Sequence, residues 1–120
     1  MEWLTENSRK FLELGYLVEG TTPEERIREI ADRAQELNGV DGFADKFYDY
    51  MSKGYYSLAS PVWSNFGKKR GLPISCFGSF IGDDMGEILF TEAEVGMMSK
   101  LGGGTSGYFG DLRHRGSEIK

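Results

Sequence analysis

The sequence predicts a mixed fold, α+β or α/β, in which a helical first half leads into a strand, a long helix and a second short strand. Three observations predict it. Up to residue 54, apolar residues recur at helical spacing between recognisable start and stop signals. The glycines are skewed, five in residues 1–66 and twelve in residues 67–120, so it is the second half whose backbone must turn tightly or admit a close neighbour. An apolar stretch interleaved with small residues, 72–81, then precedes another helical pattern. At 120 residues, with 39% hydrophobic and 16 aromatic side chains, the chain is one domain or one piece of a larger one. Plentiful aromatics and mixed charge argue against disorder, and the glycines lack the period of collagen.

The first helix is expected over residues 3–14, with Leu4, Phe11 and Leu12 on one face and Gly15 ending it. The second has the plainest signals. Thr22-Pro23-Glu24-Glu25 offers an N-cap, a proline at the first helical position and a glutamate at the third. Ile27, Ile30, Ala31, Ala34 and Leu37 form its stripe, and Asn38-Gly39 supplies a left-handed stop. A third helix from about Asp41 aligns Phe43, Phe47, Tyr50 and Met51, with Gly54 closing it. Ser60-Pro61 then implies an extended or turn conformation. Lys68-Lys69-Arg70-Gly71 reads as an exposed loop, and residues 72–81 as a buried strand carrying Ile74, Cys76, Phe77 and Phe80. Asp83-Asp84 caps a fourth helix running to about Lys100, apolar over so wide an arc that it needs neighbours on more than one side. The glycine-rich run 102–107 reads as a loop, and Tyr108-Phe109 as a short strand.

Charge and cysteine content narrow the function classes. Residues 1–50 hold twelve acids and six bases, a poor match to a duplex, whose phosphates need clustered Lys and Arg. No apolar run approaches the roughly 18–20 residues that span a bilayer, and Met1-Glu2-Trp3-Leu4 lacks the features of a secretory signal. Direct nucleic-acid and membrane partners are therefore not expected. A single cysteine points to a reducing, cytoplasmic setting, and one His with one Cys makes a zinc site improbable.

Four features could carry chemistry, and each has a plainer reading. The run 102–107 is either a tight turn or a loop whose amides approach a phosphate or sugar; it lacks the order and the Lys-Ser/Thr ending of a phosphate-binding loop. Cys76 after Ser75 is either a small buried hydrophobe or a reactive thiol. A cysteine–histidine couple is disfavoured, because His114 is flanked by two arginines. Asp83-Asp84 is a capping pair, or also a partner for ribose hydroxyls. Arg113-His114-Arg115 is a solvated loop or a phosphate clamp.

The order and spacing of these features are more specific than any one of them. Ser60-Pro61-Val62-Trp63-Ser64-Asn65, Ile74-Ser75-Cys76-Phe77 and Gly82-Asp83-Asp84-Met85 resemble the catalytic (large, α) subunit of ribonucleotide reductase. So do Ser99-Lys100 with the glycine run, and Leu112-Arg113-His114-Arg115-Gly116-Ser117-Glu118-Ile119. The resemblance covers roughly residues 57–120 at motif level and the preceding helices more loosely.

The resemblance implies a helical region over 1–56 and, over 57–120, the beginning of a ten-stranded α/β barrel, incomplete in this chain. It implies that Cys76 is one of a redox pair whose mate lies far downstream, and that Ser60, Ser75 and Gly104 join it at the ribonucleoside diphosphate substrate. It implies that Asp83, Asp84, Met85, Arg113 and Lys120 contact an effector, a deoxynucleoside triphosphate or ATP, that sets base preference. The helix 84–100 is expected to form a homodimer interface. No cofactor is expected on this segment itself. The resemblance implies a radical from a metal-containing small subunit and electrons from a thioredoxin- or glutaredoxin-type protein. The first helix begins at Trp3, which leaves no room for the ATP-binding on–off module of many members. The radical cysteine, the second redox cysteine and most of the barrel belong to polypeptide beyond this stretch, so 120 residues alone are not expected to turn over. Three alternatives remain at this point: a cobalamin-dependent relative, a nucleotide-binding regulatory domain in which Cys76 only packs, and a small α-rich protein whose glycines are only turns.

Overall fold

The computed structural model describes residues 1–118. They form two compact units, the first ending at Pro73 and the second beginning at Ile74.

The first unit is all helical, with α1 (Glu6–Gly15), α2 (Pro23–Asn38), α3 (Phe43–Ser52) and α4 (Ser60–Asn65). Thr5 caps α1 by accepting from Ser8 N at 3.2 Å, so this helix starts three residues later than its apolar pattern. The capping box of α2 forms as expected: Thr22 Oγ1 accepts from Glu25 N at 3.2 Å, and Glu25 Oε2 accepts from Thr22 N at 2.8 Å. Gly39 closes α2 in the left-handed region. At the start of α3, Gly42 has no side chain to cap with, and Gln35 of α2 substitutes, its Oε1 accepting from Ala44 N at 2.9 Å.

Leu4, Leu12, Ile27, Met51 and Trp63 make the core of this unit, and the Trp3 indole donates to Met51 O at 2.8 Å. Phe11 was expected on the same face but is 62% exposed, stacked on Tyr16 instead. Arg26 is the unexpected core member, only 2% exposed. Its Nε donates to Trp63 O at 2.9 Å, and its Nη2 to Phe66 O at 2.8 Å and Val62 O at 3.4 Å. Nη1 lies 2.7 Å from the Glu29 carboxylate, close enough for an ion pair although too far off axis for a hydrogen bond. A cation thus sits at the carbonyl end of α4, where the helix dipole favours it.

That arrangement corrects the expectation at Ser60-Pro61. The segment is helical, not extended. A proline in the first turn lacks only a donor that no carbonyl would have accepted, and the Arg26 contacts hold the turn closed. Because α4 packs on α2, it belongs to the first compact unit, which runs to Pro73.

The second unit is β1 (Cys76–Phe80), α5 (Met85–Lys100) and β2 (Gly104–Tyr108), with the two strands parallel and α5 as the crossover. The register pairs Cys76 with Gly104 and Phe80 with Tyr108. Helix and sheet are joined by polar contacts: Ser79 Oγ donates to Glu94 Oε2 at 3.0 Å and Thr91 Oγ1 to Phe80 O at 3.3 Å.

Two expectations fail here. Residues 72–81 do not form a buried strand: β1 is five residues long, Cys76 is exposed and Phe80 is 71% exposed, because a sheet of two strands among the described residues covers only one face. Residues 104–107 of the glycine run are strand rather than loop, and Phe109 falls outside β2. Lacking Cβ at Gly104 and Gly107, the chain still adopts ladder geometry because β1 supplies its partners. α5 matches its expected span, capped by Asp84 Oδ1 accepting from Glu87 N at 3.0 Å. Its wide apolar surface is open: Met85, Leu89, Phe90 and Met97 are all exposed. No helix among the described residues is long and apolar enough to cross a membrane.

Candidate functional site

Ser75, Cys76 and Gly104 come together where the two strands begin. Gly104 N donates to Ser75 O at 2.6 Å, and the Ser75 hydroxyl lies 3.7 Å from the Cys76 sulfur. Among the described residues the thiol is free and exposed. The neighbouring glycines differ in kind. A methyl on Gly103 would stand 2.7 Å from the Phe77 ring, so packing demands glycine there. A methyl on Gly104 would meet only Ser75 O, at 3.4 Å, so packing within this unit does not demand it. What its missing side chain does is leave open the backbone beside the thiol. Ser60 lies in the other unit, as the first residue of α4, exposed and with its helix fixed from the far end by Arg26.

Asp83, Asp84, Met85 and Arg113 line one depression of about 170 Å³, together with Ile88 and Leu112. Asp84 is committed to capping α5. Asp83 does not cap; it receives Arg113. The Arg113 Nε donates to Asp83 Oδ1 and Oδ2 at 3.0 and 2.9 Å, the Arg113 backbone N donates to Oδ1 at 3.0 Å, and Nη2 donates to Asp83 O at 2.5 Å. Nη1 reaches Glu118 O. The hydrogen bonds from Arg113 hold the Asp83 carboxyl below the usual carboxylate range. Arg113 is therefore an ordered group and not part of a freely solvated basic loop, while the side chain of its neighbour His114 pairs with the Ser117 hydroxyl. Lys120, the fifth expected effector residue, lies outside the described residues.

Sequence reasoning missed two contributors. Arg26 precedes the apolar stripe at Ile27 and stands four residues before Ile30, so a cation on the edge of an apolar face was the available signal. The pairing of Arg113 with Asp83 spans thirty residues and leaves no local pattern.

Comparison with known proteins adds a family. The profile described as "Ribonucleotide reductase, all-alpha domain" matches residues 2–71. The chain belongs to the ribonucleotide reductase family. The large subunit of ribonucleoside-diphosphate reductase from Invertebrate iridescent virus 6 is 39% identical over an alignment of 105 residues that covers 79% of this chain and 10% of that protein. Its counterpart from Invertebrate iridescent virus 3 is 38% identical over 84 residues, 70% of this chain and 13% of that protein. Among solved structures, the Actinobacillus ureae class Id ribonucleotide reductase alpha subunit matches with a TM-score of 0.88 and 68% identity, covering 98% of this chain and 22% of that one. The chain thus spans about a tenth of the curated relatives it matches and is part of a ribonucleotide reductase large subunit. The matched profile coincides with the helical unit, which contains Ser60, and stops before Ser75.

Proposed function

We propose that this chain is the stretch of a ribonucleoside-diphosphate reductase catalytic subunit that carries one redox thiol and a nucleotide effector site. The observation that carries the reading is the Cys76–Gly104 register, which sets an exposed sulfur beside backbone left open by a glycine that packing does not require. Family membership and relatives named as ribonucleoside-diphosphate reductases support it. In this reading Cys76, with a second cysteine supplied by polypeptide outside these residues, gives two electrons and two protons to the ribose. The 2′-hydroxyl leaves as water, a hydrogen replaces it, and the two thiols end as a disulfide, which a thioredoxin- or glutaredoxin-type protein then reduces. Ser60, Ser75 and Gly104 hold the ribonucleoside diphosphate. The depression lined by Asp83, Asp84, Met85 and Arg113, joined by Lys120, takes a deoxynucleoside triphosphate or ATP, and α5 pairs two copies across a dimer. The remainder of the subunit forms the ten-stranded barrel, and a small metal-containing subunit provides the radical, in the cytoplasm. The test is Cys76→Ser in the assembled enzyme: diphosphate binding persists and turnover disappears. Unaffected turnover would reduce Cys76 to a packing residue.

A further inference from the structure

We propose that Arg26 is a positioning residue for the substrate diphosphate, acting through α4 on the Ser60 hydroxyl. The proposal rests on the reading of Ser60 as a diphosphate contact and adds what holds that hydroxyl in place. A helix of six residues does not keep its own geometry in water, so contacts to other elements must set where its first residue stands. The cap at the Ser60 end supplies none of them, since Ala59 makes no side-chain hydrogen bond there, and Ser60 itself is exposed. The hold comes from the other end. Trp63 is buried in the helical core, which fixes the depth of α4. Apolar burial is non-directional and leaves a short helix free to roll. Arg26 removes that freedom: its Nε donates to Trp63 O at 2.9 Å and its Nη2 to Phe66 O at 2.8 Å, two carbonyls three residues apart at the end of the helix. Ser60 stands one turn before Trp63, about 4.5 Å along the axis, so fixing the roll at Trp63 fixes the hydroxyl. Arg26 is itself anchored. Its backbone N donates to Thr22 O at 3.0 Å in the capped first turn of α2, and the Glu29 carboxylate lies 2.7 Å from Nη1. Burying a cation carries a desolvation cost that an apolar side chain of similar volume would avoid. What the guanidinium adds is direction, through a planar fork of fixed angle.

The experiment uses the full large subunit assembled with its small subunit. kcat and KM are measured for one ribonucleoside diphosphate, at a temperature where circular dichroism shows each variant folded. Arg26→Lys keeps the charge and loses the fork. It should raise KM about fivefold and leave kcat nearly unchanged, because the diphosphate is held alike in the ground and transition states. Ser60→Ala should raise KM by a similar factor. The double variant should rise no further than the larger single one, since both changes remove the same contact. An unchanged KM in folded Arg26→Lys, a fall in kcat alone, or a double variant whose factors multiply overturns the proposal, and the arginine then serves stability only. If Ser60→Ala leaves KM intact, it is the diphosphate reading of Ser60 that fails, and the positioning role with it. Should Arg26→Lys not fold, Glu29→Gln is the second variant. Glu29 is exposed and meets the guanidinium at Nη1, so losing its charge loosens the fork without removing it. KM should rise about twofold, and an unchanged KM there overturns the proposal equally.

Discussion

The Arg26 guanidinium donates through Nε to the Trp63 carbonyl at 2.9 Å, joining the first turn of α2 to the last turn of α4 from inside the core. With Phe66 O and, at 3.4 Å, Val62 O also on Nη2, one buried side chain satisfies the Trp63 and Phe66 carbonyls at the end of a short helix and adds a second donor to Val62 O, which already accepts from Phe66 N. Arg26→Met keeps much of the volume but orphans those acceptors. It should lower stability by about 3 kcal/mol. Arg26→Lys, which keeps the charge without the fork, should cost less. Urea midpoints of the two variants measure this, and equal midpoints for wild type and Arg26→Met would contradict the clamp.

Glycines of the second unit should respond in opposite directions to alanine. At Gly103 the new methyl would lie 2.7 and 2.8 Å from the Phe77 ring and 3.1 Å from Met98 O. Relief requires moving the strand or the helix end, a loss of about 1–3 kcal/mol. At Gly96, inside α5, nothing lies within 4 Å, and alanine should add about 0.5–1 kcal/mol by helix propensity. Thermal unfolding of both variants reads the contrast; stabilisation by Gly103→Ala would mean that β2 is not paired as described.

Acid should weaken the chain through carboxylates with named partners. Arg113 holds the Asp83 pKa down, Arg9 does the same for Glu24, and the Thr22 backbone N–H for Glu25. Each group binds protons less readily when folded. Its contribution is therefore fully present above the unfolded pKa, about 4 for carboxyls, and is lost as pH falls through the lower folded value. Stability measured from pH 6 downward should fall below about pH 4. Glu25→Gln should flatten part of that decline, and an unchanged slope would remove Glu25 as a contributor.

Local signals carried much of the fold. The α2 box at Thr22 and Glu25, the Gly39 stop and the Asp84 cap are made by residues within four positions of each other, so their geometry follows from chain chemistry that any context preserves. Ser60-Pro61 misled for the converse reason: the restriction that proline places on its neighbour is weak, and three contacts from Arg26, 36 to 40 residues away, outweighed it. The expected burial of 72–81 failed because apolar content says only that a strand seeks cover. Whether cover exists depends on which elements surround it, and among the described residues β1 is paired with β2 and packed by α5.

The sequence by itself determined the helical first half, the span of α5, and the motif order that points to ribonucleotide reductase. Tertiary structure alone decided that Gly104 stands opposite Cys76, that the thiol is exposed, and that Asp83 is spent on Arg113 while Asp84 caps the helix. Register and ion pairing join residues about thirty positions apart. Their free energy arises only when folding brings both partners within hydrogen-bond reach, and no periodicity along the chain records it.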